Sequence, residues 1–132
     1  MTTDEARREA VRLFMDKSDE AFQAARQVLT ASLAAAVNRA YYACFYAASA
    51  VLIAEGRKFV KHAGLQAAVH KHLVHPGRLS KDLGKAYDRL ALARYQADYE
   101  AEVTWTLQKA ADAIEAAERI VAALRALLPL GS

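Results

Sequence analysis

Apolar residues recur at intervals of three and four through most of this chain and nowhere alternate convincingly with period two, so the pattern predicts helices throughout. The first apolar stripe takes in Ala10, Leu13, Phe14, Ala21, Ala24, Ala25, Val28 and Leu29, and the charge of Lys17 interrupts it. Thr3, followed by the acids Asp4 and Glu5, reads as the start of this helix, with its end near Leu29. Thr30 to Ser32 reads as a turn and cap before a second helix, about Leu33 to Ala54, closed by Gly56. A short basic loop, Arg57 to Lys61, leads to a third helix near His62 to Val74, stopped by His75-Pro76-Gly77. Ser80 then offers a cap for a fourth helix through Tyr99. The last helix is expected from about Ala101 to Leu128, with Val103, Leu107, Ala110, Ala111, Ile114, Ala117, Ile120, Val121, Leu124 and Leu128 along one face and charges on the other. A stripe of that width belongs to a bundle helix.

Composition strengthens the helical reading, because Ala, Leu, Glu, Arg and Lys dominate and there are only two prolines, one of them in the Pro129 to Ser132 tail. No linker, repeat or low-complexity tract divides the chain. The expected architecture is all-α, a single-domain antiparallel helical bundle of four to five helices over residues 1–132, and 132 residues suffice to bury a core without staples. The one cysteine, Cys44, has no disulfide partner and sits among apolar residues, which predicts a buried free thiol and a reducing, cytoplasmic setting. The alternating charges of Met1 to Arg12 leave no apolar segment for a secretory signal. Ala40 to Ala54 is uncharged for 15 residues, short of the roughly 20 needed to span a bilayer, so no membrane association is expected.

Charge changes this picture locally. The net charge is +3, yet the stretch from Arg57 to Arg89 holds eight Lys and Arg (Arg57, Lys58, Lys61, Lys71, Arg78, Lys81, Lys85, Arg89) against Asp82 and Asp88, and all four histidines. That middle third either faces an anion or is a solvated, mixed-charge surface.

Two clusters do not fit plain core packing. Asn38-Arg39-Ala40-Tyr41-Tyr42-Ala43-Cys44-Phe45-Tyr46 sets one arginine and four aromatic rings inside an alanine-rich run. Arg94-Tyr95-Gln96-Ala97-Asp98-Tyr99 repeats the chemistry downstream, and the two are expected to meet. A mid-helix arginine needs a partner or a cleft, and a tyrosine serves where a buried ring must carry a satisfied hydroxyl. Arg94 and Asp98 lie four apart and share a helical face with Tyr87 and Ala91, a grouping that either binds phosphate through the guanidinium fork or forms an intrahelical ion pair. Arg39 either pairs across the bundle, with Asp98 as one partner, or reaches the same cleft, and the rings around it are first of all a helix contact. His70-x-His72-x2-His75 does not suit a metal: on an α-helix only His72 and His75 would share a face, and no adjacent acid or cysteine completes a tetrahedral set. No glycine-rich phosphate loop, nucleophile elbow or cofactor motif is present.

The run Ala36-Val37-Asn38-Arg39-Ala40-Tyr41-Tyr42-Ala43-Cys44-Phe45-Tyr46-Ala47-Ala48, then Gly56, then Lys61-His62, then Arg94-x3-Asp98-Tyr99, resembles the HEPN domain family over about residues 18–125. The likeness is to its branch of small stand-alone prokaryotic proteins. It implies a helical bundle that dimerises, often encoded beside a minimal nucleotidyltransferase as a toxin–antitoxin pair, and in many members a metal-independent ribonuclease. Those ribonucleases follow their arginine with a histidine four to six residues on. Here Arg94 is followed by Asp98-Tyr99, and no histidine occurs after His75. His62, which matches a recurrent histidine of the branch, is the remaining imidazole for proton transfer.

The expected function is accordingly a HEPN module that binds nucleotide or RNA at a cleft lined by Arg39, Tyr42, His62, Arg94, Asp98 and Tyr99, with a homodimer and a nucleotidyltransferase as its protein partners. The alternative is a ribonuclease toxin in which Arg94 holds the phosphate and His62 or a tyrosine moves the proton. A third reading is a structural subunit whose polar clusters lock the bundle. None of the three needs a metal or cofactor.

Overall fold

The computed structural model describes residues 2–57 and 61–129, and they form an antiparallel bundle with no strand among them. Five α-helices follow in order: α1 (Thr3–Val28), α2 (Leu33–Ala54), α3 (His62–Val69), α4 (Lys81–Tyr99) and α5 (Leu107–Arg125). Lys58, part of the basic stretch, and the last residues of the tail lie outside the described residues.

The helix boundaries follow from capping chemistry. Thr2 caps α1 in a reciprocal box with Glu5: its hydroxyl accepts from the Glu5 N–H at 3.1 Å, and its own N–H donates to the Glu5 carboxylate at 3.3 Å. Ser32 and Ser80 cap α2 and α4 through the Ala35 and Leu83 N–H groups, both at 3.1 Å. Gly56 ends α2 with φ at 81°, and the N–H groups of Gly56 and Arg57 fold back onto the carbonyls of Ile53 and Leu52. That left-handed closure is the reason for glycine there.

Two expectations need correction. The last helix begins at Leu107, not near Ala101, because Thr106 is its cap, accepting from the Lys109 N–H at 3.1 Å. The intervening Val103-Thr104-Trp105-Thr106 is β-branched or aromatic, which disfavours helix. The third helix is not uniform to Val74: α3 passes at His70 into a π-helical turn, His70–Val74, closed by the His75 N–H on the His70 carbonyl at 2.8 Å. Bonding between residues five apart puts His70 and His75 on one side, with ring centroids 6.3 Å apart, where α-helical spacing had paired His72 with His75.

The core is centred on α2, which packs against each of the other helices. Its alanines Ala36, Ala40, Ala43, Ala47 and Ala50 are fully buried and let α1 and α5 approach closely. Ile120 and Leu124 of α5 and Val51 and Leu52 of α2 fill the space, each such side chain contributing about 1.5–3 kcal/mol of burial. Cys44 is buried, as its setting predicts, and burial pushes its thiol pKa up. Ser18 is also fully buried and donates to the Ala43 carbonyl at 2.7 Å, fixing the register of α1 on α2. Among the described residues no helix is long and apolar enough to cross a membrane.

Candidate functional site

The two aromatic and charged clusters meet where α2, α4 and the start of α3 converge. Asn38 on α2 donates its amide to both carboxylate oxygens of Asp98 on α4, at 3.0 and 3.1 Å. Its carbonyl oxygen accepts from Nε and Nη2 of Arg39 at 2.9 and 2.8 Å. Asp98 also pairs with Arg94 Nη1 at 3.4 Å. The result is a continuous polar string, Arg39–Asn38–Asp98–Arg94, with a guanidinium at each end.

Each guanidinium rests on a tyrosine. The Arg39 guanidinium carbon lies 4.8 Å from the Tyr42 ring centroid and that of Arg94 lies 5.2 Å from the Tyr41 centroid. Cation–π contact of this kind holds a planar cation in place while leaving its edge for a ligand. Asp98 receives bonds from Asn38 and Arg94 together, so its charge is largely answered and the string remains net cationic.

His62 stands at the first residue of α3, beside both tyrosines. Its Nδ1 is 2.9 Å from the Tyr41 hydroxyl and its Nε2 is 3.4 Å from the Tyr42 hydroxyl. Its ring packs 4.7 Å from Phe45. Tyr41 is 1 % exposed, and burial pushes its hydroxyl pKa up to about 12, against the opposing pull of Arg94. Tyr41 therefore keeps its proton. Its other polar neighbour is the Tyr87 hydroxyl; with Tyr41 donating to Nδ1, the neutral ring carries its hydrogen on Nε2. Partial burial lowers the pKa of His62 and the Arg94 charge lowers it further, while Asp98 opposes. The imidazole is thus held neutral.

Two buried polar atoms beside this centre have no hydrogen-bond partner among the described residues, Arg94 Nε and the Tyr87 hydroxyl. Tyr87 meets Tyr41 edge-on at 6.1 Å, and burial raises its pKa well above the ordinary value. Each orphan costs about 1–3 kcal/mol, a local penalty of the sort that concentrates at sites organised for something other than stability.

Residues 11–127 match the family model for the HEPN domain. The chain belongs to the HEPN domain family. It is 41 % identical over 96 residues to a UPF0332 protein of Thermotoga maritima, covering 73 % of each chain. It is 33 % identical over 86 residues to the UPF0332 protein glr0978 of Gloeobacter violaceus, covering 64 % of this chain and 68 % of that one. The HEPN bundle also superposes on the crystal structure of TT1696 from Thermus thermophilus with a TM-score of 0.74, over 89 % of this chain and 98 % of that one, at 20 % identity. That last likeness is one of fold.

Within the HEPN bundle, Arg39, Tyr42, His62, Arg94 and Asp98 lie together. Tyr99 does not join them: it is 69 % exposed and its ring lies tilted against Tyr95 at 5.1 Å, on a different face of α4. Arg39 is not the cross-bundle partner of Asp98. Its neighbour Asn38 takes that role, one position along α2 being a rotation of about 100°, and Arg39 is bound to Asn38 instead. Asn38 and Tyr41, both inside the cluster the sequence marks, are the members that the sequence did not place in the cleft. For Asn38 the available signal was an asparagine in the second turn of an apolar helix. Tyr41 has the pattern of a packing residue, because its partner His62 lies 21 residues away on another helix. The histidine run lies elsewhere, with His70 Nε2 bonded to Asp88 at 2.8 Å and Gln66 donating to the same oxygen at 2.7 Å. Among the described residues no three His, Cys, Asp or Glu side chains converge to hold a metal ion.

Proposed function

We propose that this HEPN protein is a binding module for RNA or a nucleotide, with the phosphate held between Arg39 and Arg94 and a base against the Tyr42 and His62 side of the cleft. The observation that carries this reading is the polar string itself. It braces two guanidinium groups on tyrosine faces and answers the one acid between them, which is the arrangement a planar, bidentate phosphate contact requires. The neutral His62, with Nδ1 occupied by Tyr41, is placed to donate from Nε2 and has no free lone pair to accept a proton. That favours binding over cleavage, and the ribonuclease alternative requires Tyr41 to release His62.

A homodimer fits the same surface. Leu92, Tyr95 and Tyr99 are exposed along one stripe of α4, an apolar patch that suits a second copy, and the Arg94–Asp98 pair lies on the adjoining face. Pairing with a minimal nucleotidyltransferase in a toxin–antitoxin context is part of the proposal, supported only by the family resemblance.

The test is a binding and cleavage assay on mixed cellular RNA at low salt, with wild type and Arg94→Ala, alongside the molecular mass in solution. Retention of RNA by wild type, lost in the variant, with no new fragments, supports the module. Fragments that disappear in the variant favour the ribonuclease; no retention and no fragments, with both proteins folded, leaves the structural reading.

A further inference from the structure

Lys17 is the charge that breaks the apolar stripe of α1, and nothing in the candidate site uses it. It lies on a groove of about 260 Å³ between α1 and α2, lined by Lys17, Glu20, Ala21 and Ala24 from α1 and by Arg39 and Tyr46 from α2. The Lys17 ammonium stands 5.4 Å from the Tyr46 ring centroid, and Phe14 backs that ring at 6.2 Å. Tyr46 in turn lies 5.8 Å from Tyr42, on which Arg39 rests. Cations and rings thus alternate along the helix pair: Arg39 with Tyr42, Lys17 with Tyr46. Arg39 belongs to both places, bonded to Asn38 on the side of the polar string and lining the groove as well.

We infer that this groove is a second nucleotide subsite, which takes the next unit of a single-stranded RNA whose neighbouring phosphate sits at the Arg39–Arg94 centre. The inference rests on the RNA-binding reading above. Lys17 supplies a positive charge of its own and Arg39, shared with the neighbouring phosphate, a second, and neither forms an ion pair among the described residues. Tyr46, stiffened by Phe14, offers a half-buried ring for base stacking, the sequence-tolerant contact of single-strand binders. Ala21 and Ala24 leave the room that larger side chains would fill. Glu20 is the one acid on the rim. Its carboxylate accepts from a 2′-hydroxyl or a base amino group and disfavours a bare anion, which selects a nucleotide over free phosphate and ribose over deoxyribose.

The experiment is fluorescence anisotropy of a short labelled oligouridylate with the full chain over a salt series, for wild type, Lys17→Gln, Tyr46→Leu, Arg94→Ala and a charge-matched control outside the groove, Arg119→Gln. Thermal melts confirm that each variant is folded. The expected result is that Lys17→Gln weakens binding about fivefold to tenfold at low salt and reduces the salt slope by about one, as the loss of one phosphate contact does. Tyr46→Leu weakens binding roughly tenfold by loss of stacking, and Arg119→Gln binds like wild type. Lys17→Gln and Tyr46→Leu indistinguishable from wild type, while Arg94→Ala weakens binding, overturns the groove and leaves the central site standing. The reverse pattern keeps the groove and removes Arg94. A wild type that does not bind the oligonucleotide overturns both, and a loss in Arg119→Gln equal to that in Lys17→Gln shows a diffuse charge effect and overturns the subsite.

Discussion

Tyr41→Phe removes a single oxygen from the middle of the site and nothing else. The ring keeps its contacts with Tyr42, Phe45, His62 and Tyr87, whose centroids lie 5.2 to 6.1 Å away, so no cavity of consequence opens. What is lost is the 2.9 Å bond to His62 Nδ1, worth about 0.5–1.5 kcal/mol net. His62 is only partly buried, so its nitrogen recovers some hydration, and the expected cost is about 1 kcal/mol. For a chain of this size that lowers Tm by about 3–5 °C. The same change has a further, independent signature. A donor on the lone pair of a neutral imidazole stabilises the neutral form, so its removal raises the His62 pKa toward the ordinary value. Nitrogen-15 and carbon-13 NMR of the histidine rings across a pH titration reads both the tautomer and the pKa. Wild type should show His62 as the Nε2–H tautomer titrating below free histidine, and the variant should titrate higher with a mixed tautomer. An Nδ1–H tautomer in wild type, or a variant with unchanged pKa and Tm, would refute the account of Tyr41 as the group that sets His62.

Gly84→Ala should destabilise by about 1–3 kcal/mol, where the same change in an ordinary helix stabilises by up to about 1 kcal/mol, because the new Cβ would lie 2.9 Å from a Val74 methyl and 3.3 Å from His70 on the π turn; the urea midpoint gives the sign. A double-mutant cycle of Asn38→Ala and Asp98→Ala should show a coupling of about 1–2 kcal/mol, since the paired amide and carboxylate lose one another in either single variant; additive effects would mean that the string is not a unit. The pKa of His62 is lowered on folding, so below the ordinary histidine value of about 6.5 the unfolded chain binds the extra proton first. Stability contributed by neutral His62 is complete above that pH and is lost as pH falls through the folded pKa, and wild type should lose more Tm between neutral and mildly acidic pH than His62→Asn does. Equal losses would show that His62 is not the group responsible.

Helix was legible in the sequence because its determinants are local. Ser32, Gly56, Ser80 and the stripe from Ala110 to Leu124 mark boundaries and faces through capping and periodicity alone, and α2 and α4 begin and end where those signals say. Arg94 with Asp98 was legible for the same reason, being one turn apart on one helix. The π turn was not. It lies where Val74 and His70 pack close to Gly84 of α4, a contact between separate helices that no periodicity encodes, and it brings His75 toward His70.

By itself, then, the sequence determined the helices, the alanine-rich centre that allows close packing, and the residue types from which a cationic, aromatic site is made. Only the tertiary structure decided which of them face one another. It chose Asn38 over Arg39 as the partner of Asp98, turned Tyr99 outward, hid Tyr41 beneath Arg94 and set His62 against it. The reason is geometric: rotation of one helix against another by a single residue, about 100°, exchanges partners across the bundle while leaving every local signal along each helix unchanged.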